Sequence, residues 1–146
     1  MRVPSKVVYG IIALTDICLY SDNDTVTVVN ISKRQNIPAK YLEQILPLLR
    51  REDIIRSVKG SRGGYVLTRP PEEIVLSDVI DAIDKNVLCD VQFPENTNTA
   101  FENVLSASLW DKMTAQLRKV SDGITMRDIT EKYTASDGSS ELMYYI

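Results

Sequence analysis

A mainly α-helical fold with one small β-hairpin is predicted by three features of the 146-residue sequence. Two short helical patterns separated by a turn lie between residues 27 and 51. A glycine-rich loop within KGSRGGYVL, residues 59–67, joins two strand-like runs. An apolar residue then recurs at steps of four from Phe101 to Leu117. The first two features together describe a winged helix-turn-helix, and the third describes a long helix with a face to bury.

The first helix is expected from about Ser5 to Tyr20, with Ser5 as its N-cap. Val7, Val8, Ile11, Ile12, Leu14, Ile17 and Cys18 cover most of its circumference, which predicts packing on more than one side. Ser21-Asp22-Asn23-Asp24 is a polar turn. Thr27 caps a helix from Val28 to Gln35 with Val28 and Ile31 inward, and Asn36 suits a left-handed reversal. Pro38 opens a third helix, because its missing N–H would be unpaired in the first turn anyway. There Leu42, Ile45, Leu46 and Leu49 form a core stripe and leave Lys40, Glu43, Gln44 and Pro47 outside. The ring of Pro47 crowds the Glu43 carbonyl, so a bend near Glu43 or an early loosening of the helix is expected. Strands Ile55 to Val58 and Tyr65 to Thr68 then form the hairpin, with the glycine-rich loop at its tip.

Ser77 is expected to cap a helix through about Asp84, with Val79, Ile80 and Ile83 inside. Residues 85–98, KNVLCDVQFPENTN, hold a proline, several asparagines and no apolar period, and read as a loop. A long helix follows over 99–123. Phe101, Leu105, Leu109, Met113 and Leu117 form its stripe, Val120 continues it and Trp110 lies beside it. A stripe this long on so small a protein reads as a partner interface. Thr125 caps a short final helix with Asp128 closing a capping box, and the following ASDGSS reads as flexible. The division is therefore a winged domain at 1–84, a loop at 85–98, a dimerisation helix at 99–123, and a short helix with a tail at 124–146.

Charge divides the chain in two. Residues 1–70 carry 11 Lys and Arg against 6 Asp and Glu, a net of +5. Residues 71–146 carry 6 against 14, a net of −8, which leaves −3 overall. A basic half suits an anionic polymer such as DNA. Asp16 interrupts the apolar run near the start, which reads as a helix of the mature protein, neither signal peptide nor membrane span. Two distant cysteines suit a reducing, cytoplasmic setting. KGSRGG departs from the phosphate-binding pattern G-x-x-x-x-G-K-[ST], and it closes a hairpin where that pattern opens a helix. With no histidine and no nucleophile beside an evident base, an enzyme is not expected. The rival reading is a winged-helix adaptor that has lost DNA binding, and salt dependence separates the two.

The run YLEQILPLLRREDIIRSVKGSRGGYVL, Tyr41 to Leu67, resembles the winged-helix domain of the Rrf2 family of bacterial transcriptional regulators. Ser5-Lys6 with Tyr9, and the segment Ile74 to Asp84, extend the resemblance over more than half the chain. It implies a homodimer, the 99–123 helix crossing its mate, with each recognition helix in a major groove of a pseudo-palindromic operator. Glu43 falls at the family's base-contacting position, where a carboxylate accepts from a cytosine amino group, and Gln44 beside it suits adenine or a structural role. Lys40 and Tyr41 are placed for phosphate. Lys59, Ser61, Arg62 and Gly63 form the wing tip, with Arg62 expected in the minor groove and Lys59 on phosphate. Where family members often have serine, this chain has Pro38, which removes a side-chain cap.

Members of the family sense through an iron–sulfur cluster held by three cysteines in the loop before the dimerisation helix. This chain has only Cys89 there, so no cofactor and no metal site is expected. Cys89 is left as a candidate redox thiol, and Cys18 is assigned to packing. The final Tyr144, Tyr145 and Ile146 resemble the end of the branch that represses cysteine metabolism in Gram-positive bacteria. That resemblance implies capture of the C-terminus by cysteine synthase, with packing back on the dimer core as the equal alternative.

Overall fold

The computed structural model describes residues 1–144, with side chains through Asp137. Helices α1 (Ser5–Tyr20), α2 (Val28–Gln35) and α3 (Ala39–Arg51) precede a hairpin of β1 (Ile55–Val58) and β2 (Gly64–Leu67). A 3₁₀ turn at Pro71–Glu73 leads to α4 (Leu76–Ile83). After the loop come α5 (Thr99–Leu105), a π-helical segment (Ser106–Trp110), α6 (Asp111–Asp122) and α7 (Met126–Tyr144).

The core gathers around α1. Val7, Ala13, Leu14 and Ile17 are buried with Ile31, with the α3 stripe Leu42, Ile45, Leu46 and Leu49, and with Val79 and Ile83 of α4. A Cβ at Gly10 would lie 2.1 Å from Cδ1 of Ile83, so a larger residue there would push the Ile83 side chain aside where α1 meets α4.

Thr27 and Asn30 cap α2 reciprocally, each backbone N–H bonding the other's side-chain oxygen at 3.1 Å. Asn36 ends α2 in the left-handed region at φ 53. Two other expected caps are absent. Pro4, not Ser5, stands at the start of α1, where its carbonyl accepts from Val7 at 3.0 Å, so Ser5 is already helical. Val75, not Ser77, precedes α4, and Ser77 is buried. The reason lies in a β-bridge between Val75 and Thr125: Leu76 N–H donates to the Ile124 carbonyl at 2.9 Å. That first-turn donor is already engaged by backbone. On α1, Val8 faces outward, against expectation, at 46% exposure.

Helix α3 runs through Pro47 to Arg51, so the expected early loosening does not occur. Pro47 stands on the exposed face, away from the packed stripe, and what it removes is the N–H that would meet the Glu43 carbonyl. The hairpin pairs Ile55 with Leu67 and Val58 with Gly64, one residue earlier on the second strand than expected. A bridge from Val26 to Tyr65 adds a third, one-residue edge, with N–H to carbonyl distances of 2.9 and 2.8 Å. Residues 85–98 contain no helix or strand, as expected, and are anchored by buried Leu88.

The expected helix over 99–123 is helical throughout but carries the π segment at its middle. This matters for the stripe. In a straight α-helix each residue turns about 100°, so Phe101 and Leu117 would stand about 160° apart. A π turn holds one more residue per hydrogen-bonded ring, which takes back roughly one residue's rotation and brings the two within about 60°. Steps of four thus form one face only because the helix widens between Leu105 and Asp111. The final helix is not short: α7 continues through the expected flexible ASDGSS to Tyr144. Its start does carry the expected box, with Thr125 N–H to Asp128 Oδ2 at 2.9 Å and Asp128 N–H to Thr125 Oγ1 at 3.1 Å.

Candidate nucleic-acid interface

Burial of Leu42, Ile45, Leu46 and Leu49 forces Lys40, Tyr41, Glu43 and Gln44 to the outside of α3, and all four are exposed. Tyr41 is fixed from two sides: its ring lies 5.5 Å from that of Tyr9 on α1, and Lys40 Nζ lies 5.2 Å from its centroid. The aromatic tip of the helix is therefore held in place before any ligand arrives.

Behind this face is a buried ion pair. Asp16, fully buried in α1, accepts from Arg34 Nε at 2.9 Å, Arg34 Nη2 at 2.7 Å and Gln35 Nε2 at 2.9 Å. The Arg34 guanidinium also stacks 4.1 Å over Tyr20, and the bond to Asp16 holds it still more firmly protonated. These contacts clamp the end of α2 to α1, and the turn into α3 follows at once. Sequence reasoning saw Asp16 only as an interruption in an apolar run. An acid at a core-facing position with arginine on the next helix was the available signal.

At the wing tip, Gly63 N–H donates to the Gly60 carbonyl at 3.0 Å, closing a tight turn with Ser61 and Arg62 at its centre. Gly60 takes φ 114, and a Cβ at Gly63 would meet the Val58 and Gly60 carbonyl oxygens at 2.9 Å. Lys59, Ser61 and Arg62 are exposed and Gly63 is half-buried. Arg62, Arg56 and Arg69 line an open cleft of about 610 Å³ together with Asp22 and Asp24.

The apolar stripe is open to solvent. Phe101 is 65% exposed, Leu105, Leu109 and Met113 are exposed as well, and Leu117 and Trp110 are half-buried. Arg118, on the same helix, donates from Nη1 to Asp81 Oδ2 at 2.7 Å and from Nη2 to the Leu88 carbonyl at 3.1 Å. It thereby clips α6 and the 85–98 loop to α4, a role the sequence reading did not assign.

Cys89 is exposed, its Sγ 3.3 Å from the Asn86 carbonyl and 3.4 Å from that of Asp90. Cys18 is enclosed in the core, and burial pushes its thiol up to about 12. Among the described residues no three His, Cys, Asp or Glu side chains gather as metal ligands, and no helix is long and apolar enough to cross a membrane. The side chain of Tyr144, with Tyr145 and Ile146, lies outside the described residues.

The Rrf2 family model, described as an iron-dependent transcriptional regulator, matches residues 3–132. The helix-turn-helix transcriptional regulator IscR of Aliivibrio salmonicida is 31% identical over 129 residues, 88% of this chain and 77% of the relative. Among solved structures, IscR of T. potens matches with a TM-score of 0.73 at 28% identity, over 91% of this chain and 88% of that one. The oxidized form of CymR from Staphylococcus aureus matches with a TM-score of 0.71 at 27% identity, over 90% and 97%.

Proposed function

Because the chain belongs to the Rrf2 family of transcriptional regulators, and is no enzyme, we propose that it represses transcription by binding a pseudo-palindromic operator as a homodimer. The observation that carries this reading is the outer face of α3. Glu43 and Gln44 are exposed there beside a Tyr41 already locked against Tyr9, and the wing offers Lys59 and Arg62. Glu43 accepts from cytosine, Gln44 serves adenine, Lys40 and Tyr41 meet phosphate, and Arg62 enters the minor groove while Lys59 stays on the backbone. The open stripe from Phe101 to Leu117, with Trp110 beside it, supports pairing of two copies through α5 and α6.

Control by iron does not fit this chain's residues. Cys89 is the only thiol in the loop where family members hold a cluster, and Cys18 is sealed in the core. Regulation is proposed to pass through a partner protein or a small effector in the cytoplasm, with oxidation of the exposed Cys89 as the alternative. Cysteine synthase is the partner proposed, taking Ile146 by its carboxylate with Tyr144 and Tyr145 alongside. A pull-down in which removal of Ile146 leaves enzyme capture unchanged sinks that partner.

The test of DNA binding is a salt titration on operator and unrelated duplexes. Affinity should fall steeply with salt, with Lys59→Ala weakening both duplexes alike and Arg62→Ala weakening the operator more. A flat salt response in both would make the protein an adaptor. The reverse pattern for the two variants would exchange the assigned roles of Lys59 and Arg62.

A further inference from the structure

Five residues, 59–63, project beyond the last strand pair, Val58 and Gly64. Gly60 and Gly63 leave such a loop many conformations, and freezing it on DNA would cost affinity. Among the described residues, one side chain of the body, that of Thr25, bonds to the tip. The Thr25 hydroxyl donates to the Arg62 carbonyl at 2.6 Å and lies 3.1 Å from the Gly63 carbonyl. Thr25 itself is fixed, since its N–H donates to Asp24 Oδ1 at 2.8 Å and the next residue, Val26, bridges to Tyr65. The reach depends on Gly64, which takes φ 156 and where a Cβ would stand 2.9 Å from both Cβ and Oγ1 of Thr25.

We infer that Thr25 is a positioning residue for the DNA-binding wing, holding the backbone of Arg62 so that its guanidinium is presented in one place before the operator arrives. The inference rests on the DNA-binding reading given above. It explains why the threonine bonds the carbonyl of the very residue whose side chain is offered to the groove, leaving that side chain free to turn outward. The bond adds nothing to recognition by itself and works only through Arg62.

A double-mutant cycle on operator affinity at fixed salt tests this, with thermal unfolding of each variant alongside. Thr25→Val keeps the shape and removes the donor, and should weaken operator binding roughly fivefold, the worth of one ordinary hydrogen bond. Thr25→Ser keeps the hydroxyl and should stay within about twofold of the wild type. In an Arg62→Ala background, Thr25→Val should change affinity by less than about twofold. An equal loss in both backgrounds would mean that Thr25 acts through general stability, and no loss in either would mean that the contact is idle; each overturns the inference while leaving DNA binding intact. Absence of any salt-dependent DNA binding by the wild type overturns both.

Discussion

Asp16 gathers three donors, two from Arg34 and one from Gln35, in a fully buried position. Removing it strands a guanidinium that is about a third exposed, so part of the loss is recovered by water. Asp16→Ala is therefore expected to cost about 2 kcal/mol in urea unfolding, below the loss for a wholly buried pair. A change under about 0.5 kcal/mol would show that the clamp on α2 carries no stability. At this scale legibility followed chain distance. The exposure of Lys40, Tyr41, Glu43 and Gln44 could be read because period 3.6 places them opposite a visible apolar stripe. The pairings of Asp16 with Arg34, Thr25 with Arg62 and Arg118 with Asp81 span 18 to 37 residues and leave no local pattern.

Helix ends set the behaviour of the elements. The Thr125 N–H bond holds the Asp128 carboxyl below the usual carboxylate range. A depressed carboxylate stabilises the fold fully above its unfolded value, near pH 4, and that contribution is lost as pH falls through the lower folded value. The difference in thermal midpoint between the wild type and Asp128→Ala should hence be constant above about pH 5 and shrink below pH 4. A gap independent of pH would show that the charge of Asp128 has no part in the cap. Thr27 and Thr125 could be assigned from sequence because threonine suits an N-cap, and Asp128 marked a box at Thr125, whereas the part of Asn30 in the box at Thr27 was not read. Ser5 and Ser77 misled because a proline carbonyl and a distant β-bridge took over the first turn. The stripe at steps of four was legible as residues, but the π segment that makes it one face was not, since nothing in SASLW marks a widened turn.

Across the whole molecule, charge divides along the chain, although α4 and α7 of the acidic half pack against α1 of the basic half. The helix-turn-helix and wing hold the net +5, and the segments after them hold the net −8. The exposed cations Lys40, Lys59 and Arg62 on α3 and the wing favour approach to a duplex by that face at low salt. Arg118 lies within the acidic half, one fork holding Asp81 of α4 and the Leu88 carbonyl together. In a pair of protomers joined through α6, as proposed above, this joint and the backbone bridge between Val75 and Thr125 would together set the separation of the two α3 helices. On that reading Arg118 would act as one pivot of a caliper set to half-site spacing in base pairs. Arg118→Ala should discriminate less than the wild type against operators lengthened or shortened by one base pair, a change that turns the half-site by about a tenth of a helical turn; equal discrimination by the two proteins would show that Arg118 does not set the spacing.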